Sequence, residues 1–401
     1  MADHPDPEIM RLSLSDLALR IKIMKVKMGS SIEDVLSQAL DPPSPVNIQR
    51  AVSALVEVGA LTTLQDITPM GRLLSKLPTD VHLGKFLLIA CAFGCLDPAL
   101  TIAAALNSKS PFLTPFGKEE EAHRQKLSFR IENSDFFTLH NAFSSWRRAC
   151  ANGPSVARKL CRDTFMSHQN LQQIEELREQ FLGYLIDSSF IKAPPALVKE
   201  LNRARYSSRG RTRFVSPPTE LDRNSGNYAI VGAALAAGLY PKMLLAGGKP
   251  GTESLTTITN NQRVAFHPSS VNFGRKPSDF GVNYLCYFTI MQSKKMYAWE
   301  TGPVEDLSVL LLCGDAEFKL LADTVSLDRK MRYSVSPKAS VALKYLRKEM
   351  TSTLAIHFSG KPVTEPDAVW EDTAMAMLGK VKPEDSEKKA EKITLVTNRV
   401  L

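Results

Sequence analysis

The stretch LLAGGKPG, residues 244–251, places a lysine after a glycine pair, the beginning of a phosphate-cradling loop. Such a loop needs G-x-x-x-x-G-K-[ST], because backbone amides wrap the phosphates while the hydroxyl holds Mg²⁺. Met243 stands at the first glycine position and Pro250 at the hydroxyl, so the stretch reads as a glycine-rich turn. Cys91 and Cys95 lie four apart in CAFGC and could share a metal, but no second ligand pair accompanies them. Two buried thiols on a core helix explain them better. No H-E-x-x-H, paired C-x-x-C or G-x-S-x-G occurs, and the seven histidines, His82, His123, His140 and His168 among them, lack ligand spacing. Metallohydrolase and α/β-hydrolase chemistry therefore lack their residues.

What remains is binding chemistry. RVAFHPSSVN offers Arg263, His267, Ser269 and Ser270 at a strand end, and MQSKKMYAW offers Lys294, Lys295, Tyr297 and Trp299. On a small barrel such residues stack on bases and hold phosphates. Pattern alone favours the alternative, Tyr297 and Trp299 as barrel core with the lysines as a wet edge. Between residues 199 and 223, seven cationic side chains (Lys199, Arg203, Arg205, Arg209, Arg211, Arg213, Arg223) face three anionic ones, a net +4 out of +8 for the chain. This run is either a phosphate-tracking arm or a solvated loop.

The elements that must position these residues follow from periodicity. Ser44 can cap a helix, Pro45 suits its first position, Ile48, Val52, Leu55 and Val58 form its apolar face, and Gly59 supplies a left-handed stop. Thr68-Pro69 opens a second helix, and ALTTLQDI between the two suits a β-wing, giving a winged helix over residues 30–78. Residues 79–195 read as a helical bundle. In NLQQIEELREQFLGYLI, Leu171, Ile174, Leu177, Phe181 and Leu185 make the stripe while Gln172, Gln173, Glu175, Glu176 and Glu179 stay wet. SDFFTLHNAFSSWRRA puts Phe136, Leu139, Phe143 and Trp146 on one side. Residues 196–225, bracketed by proline pairs, read as an Arg-rich linker. Over 226–350, NYAIVGAALAAGLYPKMLLAGG reads as a helix entering a turn. SLTTIT, RVAFHP, NYLCYFTIM, KKMYAWETG and LSVLLLCG then read as five strands before a terminal helix, a barrel of the OB type. Residues 351–401 form a C-terminal extension. The predicted fold class is therefore α+β and multidomain: winged helix, helical bundle and OB-type β-barrel.

A chain of 401 residues with 44% hydrophobic content can bury two or three cores. A net charge of +8 favours polyanionic partners, nucleic acid first. Six scattered cysteines in so long a chain suit free thiols in a reducing compartment. MADHPDPEIM has no apolar core of a signal peptide, and the apolar run FLLIACAFGCLDPALTIAAAL, broken at Asp97-Pro98, suits a buried helical hairpin rather than a membrane span. The cytoplasm, with the nucleus as a second compartment, is the expected location.

EDVLSQALDPPSPVNIQRAVSALVEVGAL, ITPMGRLLSKLPTDVHLGKFLLIACAFGCLDPALTIAAALNSKSPF, LSFR, SDFFTLHNAFSSWRRA, NLQQIEELREQF, AAGLYPK, HPSSVN and VLLLCG together resemble the C-terminal half of a DEAH-box (DExH) RNA helicase. The resemblance runs from about residue 8 to 350. It implies a winged helix, a helical ratchet and an OB fold following two motor domains and closing over single-stranded RNA, which an ATP-driven motor unwinds. It places Ser134, Asp135 and Asn141 on a ratchet helix facing RNA and His267, Ser269 and Ser270 on the OB groove. The first segment, 1–29, is similar to the exit from the second motor domain. No Walker A lysine, Asp-Glu-x-His box or arginine finger occurs here, so no ATPase activity is expected of this chain by itself. ATP and Mg²⁺ would belong to the family's motor domains, and no cofactor is expected here. The chain then stands either as a fragment of a helicase or as a separate accessory half. Its implied partner is single-stranded RNA. The competing reading is a scaffold that docks a ribosomal subunit or a helicase-activating protein.

Overall fold

The computed structural model describes residues 14–24, 31–205, 214–247 and 253–380. Helix α1 (Leu14–Met24), α2 (Ile32–Leu36), α3 (Pro45–Val58) and α4 (Pro69–Leu74) come first. Ser44 Oγ accepts from Asn47 N and Gly59 closes α3 at φ +84°, while Thr68 Oγ1 accepts from Gly71 N at 2.9 Å to begin α4. Both helices thus begin and α3 ends where capping chemistry dictates. Where a β-wing was expected there is a single antiparallel bridge, Leu61 to Ile67.

The apolar hairpin forms α5 (Val81–Ala92) and α6 (Leu96–Leu106). Both are buried almost all round, because neighbouring helices cover every face. Cys91 and Cys95 lie within this core as free thiols, burial raising their pKa. Helices α7 (Glu119–Ser128), α8 (Asp135–Ala151), α9 (Pro154–Asp163) and α10 (His168–Asp187) complete the bundle. Phe136, Phe143 and Trp146 of α8 are buried, and Trp146 Nε1 donates to His168 Nδ1 at 2.9 Å.

One expectation for α10 fails. Glu175 is 2% exposed and Glu179 is also buried, although both fall on the polar side of the stripe. Glu175 is held inside by Arg178, itself buried, at 3.1 Å; Arg178 also meets Asp97 at 2.6 Å, which Arg147 reaches at 3.0 Å. Opposite charges that neutralise one another make burial tolerable. Burial would raise the Asp97 pKa, but Arg178 and Arg147 hold it below the ordinary carboxylate value.

The presumed linker is also partly helical: α11 spans Pro195–Arg205 and buries Leu197 and Leu201. Phe214 then packs edge-on to Trp146, ring centroids 5.5 Å apart, under the guanidinium of Arg147. A low average of apolar residues concealed an i, i+4 pair sufficient to seat one short helix.

Helix α12 (Tyr228–Leu239) leads into the barrel: β1 (Met243–Gly247), β2 (Ser254–Thr257), β3 (Arg263–Phe266), β4 (Tyr284–Gln292) and β5 (Met296–Val304). The closed order is β1-β2-β3-β5-β4, with β3 and β5 parallel. Leu244, Leu255, Phe266, Leu285 and Ala298 fill it. The barrel has five strands as expected, but two assignments change. KMLLAG holds β1 rather than a turn, and LSVLLLCG is helix α13 (Asp306–Leu312) rather than a strand. A short continuous apolar run fits either state when every face is covered, and Val309, Leu310 and Leu311 are all buried. Beyond it lie a three-stranded antiparallel sheet, β6 (Ala316–Lys319), β7 (Thr324–Leu327) and β8 (Met331–Ser334), then α14 (Pro337–Phe358) and α15 (Glu365–Leu378).

The barrel approaches the bundle most closely where β5 passes the start of α8. A Cβ on Gly302 would stand 2.7 Å from Ser134 Oγ, the atom that caps α8. Gly302→Ala is therefore expected to lower stability by about 1–3 kcal/mol through overpacking of this contact, which urea unfolding would measure.

Candidate nucleic-acid interface

A groove of about 710 Å³ separates bundle from barrel. One wall comes from the loop after α6, α7 and the first turns of α8, the other from the loop after β3 and from β5. The first wall is fixed from behind: Leu113 N donates to Phe165 O at 2.8 Å and Asn170 Nδ2 to Ser110 O at 2.7 Å. On the second, His267 stacks on Trp299 with centroids 3.5 Å apart and planes at 20°, and meets Tyr297 edge-on. Ala298 points into the barrel, so Tyr297 and Trp299 lie on its outer face and are not core. Ser269 N donates to His267 Nδ1 at 3.1 Å, leaving Nε2 as the ring's outward nitrogen. Burial, then the charge of Lys126, lowers the His267 pKa, so the ring is neutral at pH 7. Phe273, more than half exposed, lines the same groove, as does Trp299, whose buried Nε1 has no hydrogen-bond partner among the described residues.

The two walls are joined through Asp135, which is 4% exposed. Its carboxylate accepts from Val271 N at 2.9 Å, Thr301 N at 2.9 Å, Ser270 Oγ at 2.5 Å and Thr301 Oγ1 at 3.3 Å. Ser134, Asp135 and Ser270 are thus buried in the joint itself, where Asp135 and Ser270 also line the groove. The polar atoms of Asp135 and Ser270 hold the two walls together, an N-terminal carboxylate on α8 being satisfied by barrel amides. Asn141, two turns on, donates to Phe129 O at 3.0 Å and ties α8 to the end of α7, off the groove.

His267 and Ser269 do line the groove. Arg263, Lys294 and Lys295 are exposed but do not line it, and Arg203 is exposed on α11. Arg205 ends α11, and Arg209, Arg211 and Arg213 lie outside the described residues, as does the turn at Lys249.

Two groove residues escaped the sequence reading. Lys126 donates through Nζ to Ser269 O across the gap and sits 5.0 Å above the Phe112 ring. Glu119, His123 and Lys126 repeat at i, i+4, i+7 in EEEAHRQK, a helical face that was visible but unremarkable. Glu300 had no signal at all, since strict alternation places it inside the barrel with Ala298. Its φ of +45° breaks that alternation, and Trp299 and Glu300 line the groove side by side. A left-handed non-glycine residue costs of order 1–3 kcal/mol. Burial and the nearby Asp135 charge push the Glu300 pKa up to about 7, against the pull of Lys126. Among the described residues, no group of His, Cys, Asp and Glu could hold a metal ion, and no helix is long and apolar enough to cross a membrane.

Stacked aromatics, hydroxyls and one lysine beside a closed five-stranded barrel are the equipment of a nucleic-acid-binding module. Two family profiles agree: a helicase associated domain (HA2), ratchet-like, over residues 80–139, and an oligonucleotide/oligosaccharide-binding (OB)-fold over 231–316. Together these matches make the chain similar to the C-terminal half of the DEAH-box helicases. It is similar to the ATP-dependent DNA/RNA helicase DHX36 of Homo sapiens, 32% identical over 380 residues, which are 92% of this chain and 34% of that protein. The ATP-dependent RNA helicase DHX29 of Homo sapiens is 32% identical over 359 residues, 88% of this chain and 25% of its own length. The putative ATP-dependent RNA helicase DHX57 of Mus musculus is 36% identical over 238 residues, 59% of this chain and 17% of its own length. The chain spans about a third or less of these relatives.

Proposed function

We propose that the groove between bundle and barrel holds single-stranded RNA for a helicase motor. The stack of His267 on Trp299, facing Lys126 across the gap, carries this reading. A base extends the aromatic stack, the Nε2 of His267 and the Ser269 hydroxyl serve as polar contacts, and Lys126 neutralises a phosphate. Arg203, Arg205, Arg209, Arg211 and Arg213 would add further cations. ATP hydrolysis, with ATP and Mg²⁺, belongs to the motor domains of the family.

Anisotropy with a labelled oligouridylate tests this at two salt concentrations. Micromolar or tighter binding at low salt is expected, and its absence would overturn the reading. Trp299→Ala should weaken binding about tenfold, the worth of one stacked base. Lys126→Ala should flatten the slope of log affinity against log salt by about 0.7, one phosphate of a single strand.

A second reading, a scaffold for a ribosomal subunit or a helicase-activating protein, draws on the groove's own charge: Glu119, Glu120, Asp135 and Glu300 outnumber Lys126. Reversing the five arginines separates the two. RNA affinity left intact while partner capture is lost would favour the scaffold.

A further inference from the structure

A groove meant for a polyanion contains a carboxyl group that should repel it. Asp135 and Glu300 both line the groove, with Lys126 the sole cationic side chain among the described lining residues and its ammonium already bound to Ser269 O. One cation cannot neutralise two carboxylates in a half-buried space. Asp135 has its oxygens filled by two backbone amides and two hydroxyls. No hydrogen bond or ion pair of Glu300 to a protein side chain occurs among the described residues, so the surplus charge is shed there. The left-handed backbone at Glu300 turns what alternation would make an inward residue toward the groove, beside the Trp299 ring.

We propose that Glu300 is an RNA-contacting residue that works as a neutral acid, so that a strand occupying the groove takes up a proton at this carboxyl. Protonated, Glu300 donates a hydrogen bond to a phosphate or base oxygen; ionised, it opposes the phosphate. The inference rests on the reading of the groove as the RNA path. The charged and titratable groups around Glu300 are Asp135 from α8, Lys126, His123, Glu119 and Glu120 from α7, and His267 from the loop after β3. The burial that pushes its pKa up to about 7 places the transition in an accessible range.

The sign follows from linkage. Bound phosphate raises the Glu300 pKa further, so affinity is full below about pH 6.5 and falls as pH climbs through 7. Anisotropy of the whole 401-residue chain with labelled oligouridylate at constant ionic strength reads this directly. Affinity of the unmodified protein should drop roughly five- to thirty-fold between pH 6 and 8.5, the limit being tenfold per pH unit above the free pKa. Glu300→Gln, a permanent mimic of the neutral acid, should bind at pH 8.5 as tightly as the unmodified protein does at pH 6, with a flat profile. His123→Gln should keep the full pH dependence, excluding that side chain as its source. Calorimetry in two buffers of different ionisation enthalpy should register proton uptake at pH 7.5 for the unmodified protein and none for Glu300→Gln. A flat profile in the unmodified protein, or a slope that survives in Glu300→Gln, overturns the Glu300 inference while leaving the RNA path standing. No binding at any pH in either protein overturns both.

Discussion

Asp135→Ala is expected to destabilise the protein by about 3–5 kcal/mol and to weaken RNA binding with it. The substitution leaves the amides of Val271 and Thr301 buried without an acceptor, at about 1–3 kcal/mol each. It also strands the Ser270 and Thr301 hydroxyls. Because this carboxylate joins the first turn of α8 to the loop after β3 and to β5, its loss lets the groove walls part. Urea unfolding would record the stability change, and anisotropy the accompanying loss of affinity. Asp135→Asn keeps one acceptor oxygen and should fall between the two proteins. A variant as stable as the original would show that the joint is held elsewhere.

The second large effect lies at the centre of the bundle. Arg178→Ala should cost about 3–5 kcal/mol at pH 7, because it abandons Glu175 and deprives Asp97 of its nearer cation. This effect has a pH signature. In the intact protein Asp97 is held below its ordinary value, so its contribution is present at neutral pH and is lost only as pH falls through that depressed pKa. In the variant Asp97 keeps only Arg147 against its burial, so its pKa rises from that depressed value and less stability is lost on acidification. The difference between the two proteins should therefore shrink as pH falls from 7 toward about 4. A difference constant with pH would mean that the loss is one of packing over Phe143, where the guanidinium lies 5.1 Å from the ring centroid.

Local chemistry made much of the fold legible. Ser44, Pro45 and Gly59 fix the ends of α3 because a cap hydroxyl, a locked φ and a left-handed glycine act within a turn of their own position. The stripe of Leu171, Ile174, Phe181 and Leu185 oriented α10 for the same reason, a fixed period on one helix. Alternation in RVAFH puts Phe266 and His267 on opposite faces, and the fold takes Phe266 into the barrel and leaves His267 on the groove.

The misplaced residues are those whose state depends on a neighbour distant in sequence. Glu175 is buried because Arg178 reaches Asp97, 81 residues away in sequence. LSVLLLCG is helical because several elements cover all of its faces, a circumstance its own composition cannot encode. The resemblance sets Asp135 against RNA, and only the fold adds that barrel amides 136 and 166 positions later donate to its oxygens. Glu300 reached the groove only through a left-handed backbone angle that breaks the strand's period. The sequence by itself determined the local elements, their caps and the presence of a barrel after a helical bundle, since those depend on interactions a few residues long. Only the tertiary structure decided which charges are buried, which carboxylate binds the two halves together and which one faces the groove, because desolvation and pairing energies are set by what the folded chain brings alongside.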